Sequence, residues 1–374
     1  MSIRSLADNF LKKLEKPAHA FNIISISRSA ILYNYSYFRK HYPHSQIWPV
    51  LKSNAYGHGL APIVSILKSH NPSYLIVDSY YEALKVRQLC STPILLIGSI
   101  PPQNFSQMKL DNITLCVQDN ISLDLLISSK RSVTFHLKVN TGMNRQGIDP
   151  QDLTSTLAKI KDNPQIKMEG VFSHLADADN PQDKYSPQQI KLFSKIITQV
   201  NHSGLHPRYF HLAASYSASK INKPRINAIR LGLGLYGYSH PQLRPALTFT
   251  STVVNRRIVQ KGDTISYNRT FTAKTKTNVG LIPAGYFEGF DRRLSNRGVV
   301  KYRHRFYGVA GRICMNLTCI DFKNTVPKMF DSVEIISPNP IDKNSIKNIA
   351  RLTDTISYEI LIHLHSSIRR QVTD

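Results

Sequence analysis

Eight short runs of β-branched and other apolar residues recur at regular intervals over the first two-thirds of the chain. They are IWPVLKS (47–53), YLIVDS (74–79), PILLIGS (93–99), ITLCVQD (113–119), VTFHLKVN (133–140), MEGVFSHL (168–175), RYFHLAAS (208–215) and NAIRLGLGLYG (227–237). Between most of them lies a segment with helical spacing, such as SYYEALKVRQL (79–89), DLTSTLAKIKD (152–162) or SPQQIKLFSKIITQV (186–200). The last reads as a helix opened by a Ser cap, with Pro at its first helical position. Strands that alternate with helices build a parallel sheet, because a parallel pair needs a long crossover between its members. Eight such units in about 200 residues fit a (β/α)8 barrel.

The pattern changes after about residue 240. ALTFTSTVVNRRIV, DTISYNRTF, TNVGLIPAGY, GVVKYRHRFYGVAGRICMNLTCID and DSVEIIS read as strands with turn residues between them. Helical spacing returns only in IKNIARLTDT and SYEILIHLHSS. A chain of 374 residues suits one large and one smaller domain. The expected organisation is a lead segment over 1–20, a barrel domain over 21–243 and a smaller β-rich domain over 244–374.

Charge and cysteine usage narrow the partners. The 48 basic and 24 acidic residues give a net charge of +24. That excess permits nonspecific attraction to nucleic acid or acidic surfaces, and also attraction of an anionic substrate or cofactor. The basic residues are dispersed and no arm or helix concentrates them, so no specific nucleic-acid partner is expected. No apolar run reaches the length of a membrane span, and MSIRSLADNFLKKLEKPAHAF has neither an h-region nor a cleavage site. Cys90, Cys116, Cys314 and Cys319 form no CxxC pair and no disulfide-like spacing, which points to reduced thiols in a cytoplasmic protein.

Polar residues gather at the C-terminal ends of the expected strands, the face on which such barrels carry their chemistry. Lys52 ends the first, within WPVLKSNAYGHGL. Lys138 and Asn140 end the fifth, with Arg145 in the next loop; His174 ends the sixth, followed by Asp177 and Asp179; Ser215 ends the seventh; Arg230 lies in the eighth. A desolvated lysine is a good amine nucleophile, because burial lowers its pKa, and it can condense with an aldehyde. The Gly-rich turn GLGLYG after the last strand presents backbone N–H groups to a phosphate. Lysine plus phosphate site outlines a pyridoxal phosphate pocket. The same residues also suit a lysine-dependent aldolase with a phosphorylated substrate. SHLADAD brings no third ligand set with it, so no metal is expected.

The strings that carry these residues resemble one family. VLKSNAYGHG is similar to the cofactor-lysine motif of the alanine racemases. LKVNTGMNRQG, FSHLADAD, RLGLGLYG, ISYNRTF, IPAGYFEGF, GRICMN and SYE follow in that family's order and spacing, over nearly the whole chain. The resemblance implies a pyridoxal phosphate-dependent isomerase that interconverts L- and D-alanine, supplies D-alanine for peptidoglycan, and works as a homodimer with shared active sites. It implies that Lys52 carries the cofactor and is one catalytic base, and that Tyr267 of the partner subunit is the other. Tyr56, Ser215, the backbone of Gly232 and Leu233, and Tyr358 would hold the phosphate. Arg230 would face the pyridine nitrogen; an arginine is too weak an acid to protonate that ring, which disfavours transamination. His174 would lie between Arg230 and Tyr267 and lend the tyrosine cationic help. Arg145 would hold the substrate carboxylate, assisted by the backbone amide of Met315 of the partner subunit, Lys138 is a candidate for carbamylation, and Asp179, Tyr286, Arg292 and Arg312 would line an entry corridor.

The chain also departs from the family's pattern. Ala214 stands where Asn is common, Asn140 and Asn316 where Asp is usual, and Glu288 where Asp is usual; the tail SSIRRQVTD differs too. The expectation is less negative charge around Arg145 and the corridor. Two alternatives stay open on these grounds: a broad-specificity or serine racemase, or a pyridoxal phosphate-binding protein with weak catalysis.

Overall fold

The structure, a computed structural model, describes residues 20–221 and 225–374. The expected lead segment lies outside the described residues apart from Ala20. Two units result: residues 27–246 with 372–374, and residues 20–26 with 247–371.

The larger unit is a parallel barrel. Its strands are Gln46–Pro49, Leu75–Val77, Ile94–Leu96, Ile113–Val117, Val133–Lys138, Ile166–Phe172, Tyr209–His211 and Ala228–Leu231. Consecutive strands from the second to the seventh pair in parallel. The eighth pairs in parallel with the first, Arg230 opposite Trp48. A parallel bridge from Val50 to Ile76 joins the first strand to the second, and Ala213–Ala214 carries the ladder from the seventh to the eighth. Each expected run became a strand, and each strand stops short of its run, because the run's last residues turn away as the rim of the site. Covered on both faces, such strands read as unbroken apolar runs rather than alternations; Ile113–Val117 is buried at every position. Trp48 fills the interior, with the rings of Tyr74, Tyr209 and His211 at 5.1, 4.9 and 4.9 Å.

The helices follow their caps. Ser79 accepts from the Glu82 amide at 3.2 Å and opens Tyr80–Leu89. In Ser186–His202 the expected Ser186 cap is corrected: Ser186 is already helical, and Asp183 Oδ1 accepts from the Tyr185 and Ser186 amides at 2.9 Å each. A carboxylate serves the positive end of a helix better than a hydroxyl does.

The second unit is built on a nine-stranded sheet, in the order 255–259, 277–282, 318–323, 305–309, 299–302, 332–336, 247–252, 23–27, 369–373. Leu247–Thr252 alternates buried and half-exposed residues, as a sheet with one packed face requires. Ile23–Ser27 pairs antiparallel with Leu247–Thr252, so this N-terminal strand, expected within the barrel domain, belongs to the β-rich sheet. Among the described residues no helix is long and apolar enough to cross a membrane.

Candidate active site

The first barrel strand delivers Lys52 into an unusual turn. Ser53, Asn54 and Ala55 have φ/ψ of 55/50, 54/47 and 54/51, and Tyr56 has φ 51. This is a left-handed turn of four consecutive non-glycine residues, and such geometry costs about 1–2 kcal/mol per residue. The surroundings hold it. Glu82 Oε1 accepts from the Asn54 amide at 3.1 Å, and Asn54 Oδ1 accepts from the Leu60 amide at 3.0 Å. Tyr236 stacks on His58 with ring centroids at 4.3 Å, and its hydroxyl donates to the Val50 carbonyl at 2.9 Å. The turn tilts Lys52 toward the rim, where it is half-buried. The sequence-based expectation of a desolvated lysine is corrected accordingly.

Next to it lies an array of donors. Ser215 is buried, and its Oγ accepts from the amides of Gly232 at 3.1 Å and Gly234 at 3.0 Å. A Cβ at Gly232 would lie 2.7 Å from the Tyr56 hydroxyl, so only glycine lets the phenol approach. Burial pushes that phenol's pKa up and keeps it a donor. A hydroxyl, a protonated phenol and amides of a glycine turn suit an anion such as a phosphate. These residues thus fit the phosphate of the cofactor the sequence implies. Gly234 joins Tyr56, Ser215 and Gly232 here; the GLG repeat was its signal. Leu233 lies buried between the two glycines.

Arg230 is buried beside this cradle. Nη1 donates to His211 Nδ1 and to the His211 carbonyl, each at 2.8 Å; Nη2 donates to the carbonyls of Ser173 at 2.8 Å and Leu212 at 3.3 Å, and to His174 Nδ1 at 3.1 Å. None of these partners is a carboxylate. Burial lowers the guanidinium to about 10, so it is charged at neutral pH. His174 is pushed down to about 3 by burial and then by Arg230, Arg145, Lys138 and Lys52. It is therefore a neutral imidazole whose Nδ1 accepts. The expectation that His174 lends positive charge is overturned; Arg230 carries that charge.

Lys138 is buried, donates to Gln146 Oε1 at 2.7 Å, and is lowered to about 8, chiefly by burial and then by its cationic neighbours. Arg145 is exposed in an open cleft that Asp119 and Asp149 also line. Asn140 organises the loop beside it: Oδ1 accepts from the Gly142 and Asn144 amides at 3.0 and 3.1 Å, and Nδ2 donates to Asp149 at 2.8 Å.

In the β-rich unit, five of the expected residues share one open cleft of ≈ 550 Å³: Tyr267, Tyr286, Arg292, Arg312 and Met315. Tyr267 is 70% exposed and Met315 56%. Asn316 Nδ2 donates to Glu288 Oε1 at 2.8 Å, and the other Glu288 oxygen accepts from the Gly285 amide at 2.8 Å. These two departures from the family pattern are therefore partners, and the buried Glu288 keeps a carboxylate behind Asn316, which lines the cleft. Tyr358 is half-buried on the helix Ser357–Ile362 of this unit, and Asp179 is exposed in the barrel unit. Sequence reading missed His211, Gln146 and Gly234. His211 gave no signal beyond one polar residue in an apolar strand.

Comparison with known proteins gives the same picture along the whole chain. The alanine racemase N-terminal domain model matches residues 26–240, and the C-terminal domain model matches residues 246–372. The chain is similar to alanine racemase 1 of Bacillus subtilis, 32% identical over 372 residues, which cover 95% of this chain and 94% of that one. It is also similar to the alanine racemase of Francisella philomiragia, 30% identical over 94% of this chain and 100% of that one. The crystal structure of the Bacillus anthracis alanine racemase with bound L-Ala-P superposes with a TM-score of 0.89 at 27% identity, over 96% of each chain. With the lysine turn, the glycine cradle and the buried arginine all in their places on such a barrel, the chain belongs to the alanine racemase family.

Proposed function

We propose that the protein interconverts L- and D-alanine with pyridoxal phosphate, as a cytoplasmic homodimer with shared active sites, and supplies D-alanine for peptidoglycan. The observation that carries this reading is Lys52 at a barrel strand end, beside the Tyr56–Ser215–Gly232–Gly234 cradle and an arginine whose hydrogen-bond partners among the described residues include no carboxylate. When bound, the cofactor withdraws electrons from the substrate α-carbon and makes its proton removable. Tyr56, Ser215, the backbone of Gly232 to Gly234, and Tyr358 bind the phosphate. Arg230 keeps its own proton while facing the ring nitrogen, which tempers the withdrawal and favours racemisation over transamination. Lys52 Nζ moves a proton on one face of the α-carbon, and Tyr267 of the partner subunit moves one on the other. Arg145 holds the substrate carboxylate, assisted by the backbone amide of Met315 of the partner subunit. Asp179, Tyr286, Arg292 and Arg312 line the way in.

Two expected results test this reading. Borohydride added to the yellow protein should fix the cofactor to the peptide containing Lys52, and a chiral assay over a panel of L-amino acids should give alanine the highest kcat/KM. Label on another lysine would overturn the cofactor assignment, and a higher kcat/KM for serine would make this a serine racemase. The second result concerns Lys138. With its pKa at about 8, roughly a quarter of it is uncharged at about pH 7.5, the form that carbon dioxide captures. The carbamate would bring negative charge among Lys52, Arg145 and Arg230, which all act on this amine. In 13C-bicarbonate a carbamate carbon resonance should appear and vanish in Lys138→Ala. Its absence from the native protein would show that Gln146 holds the lysine as a plain ammonium.

A further inference from the structure

The barrel interior holds a line of polar side chains that the proposed chemistry does not use. It starts at Arg230, whose Nη1 donates to His211 Nδ1 at 2.8 Å. His211 Nε2 lies 2.8 Å from His136 Nδ1. His136 Nε2 makes no hydrogen bond among the described residues and lies 3.7 Å from Glu169 Oε2, an ion-pair rather than a hydrogen-bond distance; that oxygen accepts from the hydroxyl of Tyr74, which in turn meets Thr114 Oγ1 at 2.8 Å. Both histidines are fully buried. Phe172 lies flat on His211 at 4.6 Å, and Trp48 meets its ring edge-on at 4.9 Å. Gly170 makes room for the second imidazole: a Cβ there would lie 2.6 Å from His136 Nδ1.

The chemistry of the groups sets the direction of this line. A guanidinium only donates. His211 Nδ1 must therefore accept, which leaves the His211 proton on Nε2. That proton makes His136 Nδ1 an acceptor in turn, so the His136 proton also sits on Nε2 and faces Glu169. Every proton points from Arg230 toward the carboxylate. The line joins a buried cation to an anion through two neutral rings; its first two links are hydrogen bonds, which polarise one another, and its last is an electrostatic contact between the His136 Nε2–H and the carboxylate.

We propose that Glu169 is a positioning residue for Arg230: through His136 and His211 it balances the guanidinium's charge and fixes its orientation toward the cofactor ring. This rests on the cofactor reading above only for its last step, so the test has one arm without cofactor and one with it. In the cofactor-free protein carrying 15N-histidine, His136 and His211 should both be Nε2–H tautomers, with the Nε2 proton of His211 strongly downfield. In Glu169→Gln the melting temperature should stay close to native, while the Nε2 proton of His211, two links away, moves upfield. Glu169→Asp should restore much of that shift. In the second arm, the dissociation constant for pyridoxal phosphate should rise about tenfold in Glu169→Gln, as expected for one weakened charge-assisted contact, and the 15N resonance of the bound pyridine nitrogen should move. An Nδ1–H tautomer at either histidine, or a His211 proton unmoved in a folded Glu169→Gln protein, would overturn the proposal. A native protein with the expected tautomers that binds no pyridoxal phosphate would overturn the cofactor reading and leave the charge relay standing.

Discussion

Replacing Tyr267 with Phe is expected to lower racemisation in both directions by about 10²–10⁴-fold, the usual cost of losing a positioned acid/base group, while the cofactor stays bound. Only a hydroxyl is removed, and at 70% exposure the ring contributes little to packing, so the fold should be unaffected. Both directions suffer because each turnover needs one proton removed from one face and another delivered to the opposite face. The same variant tests the shared site. Equal amounts of Lys52→Ala and Tyr267→Phe chains, exchanged to equilibrium, should recover about a quarter of native activity: half of the dimers are mixed, and each mixed dimer has one of its two sites intact. No recovery in dimers shown to be mixed, or full activity in a monomer, would count decisively against Tyr267 acting across subunits.

Acid is expected to unfold the barrel from within. Burial holds the pKa of His136 and His211 below the ordinary 6.5. The unfolded chain takes up these protons as pH falls through 6.5, and the folded barrel refuses them. Their contribution is thus complete above about pH 6.5 and shrinks below it, by about 1.4 kcal/mol per pH unit for each group. His174, held at about 3, acts in the same direction. Glu169, pulled below its ordinary 4.5 by His136, adds its own loss below that pH. The loss from each histidine continues until the pH reaches its own lowered folded-state pKa, so the two act together through the mildly acidic range. Trp48 is the only tryptophan and sits 4.9 Å from His211, so its fluorescence reports on this interior. The urea midpoint it records for the cofactor-free protein should fall steeply from pH 7 to pH 5. A midpoint that stays flat over that range would show that the histidines are charged in the folded state.

Local chemistry was legible in the sequence where it was written in consecutive residues. Parallel strands covered on both faces show as apolar runs, and a barrel places its chemistry where those runs end. That is why Lys52, Lys138, His174, Ser215 and Arg230 could be read before any coordinates. Pairings between distant segments were not legible. Residues 23–27 read as part of the barrel domain, and nothing in them says that their neighbour is Leu247–Thr252. Asn316 and Glu288 each read as a lost feature and only together read as a hydrogen bond. His136 and His211 each sit in an apolar strand, where a single histidine is ordinary; their alignment with Arg230 exists only once the sheet has closed. His174 was read for its proximity to other groups, and its burial, reinforced by the cations around it, reversed the conclusion.

The left-handed turn after Lys52 bears on the order in which the protein assembles. Ser53 to Tyr56 prefer right-handed or extended backbone, so a nascent chain does not build this turn by itself. What bends it arrives later in synthesis: Glu82 from the helix after the second strand, and the Tyr236 ring from beyond the eighth. Contacts of such sequence separation form late in folding. Until then Lys52 is an ordinary lysine on an ordinary strand, with no reason to capture an aldehyde at this position rather than at any other lysine. Specific uptake of cofactor therefore marks the moment at which the barrel has closed, and the appearance of yellow colour during refolding can serve as a clock for that event.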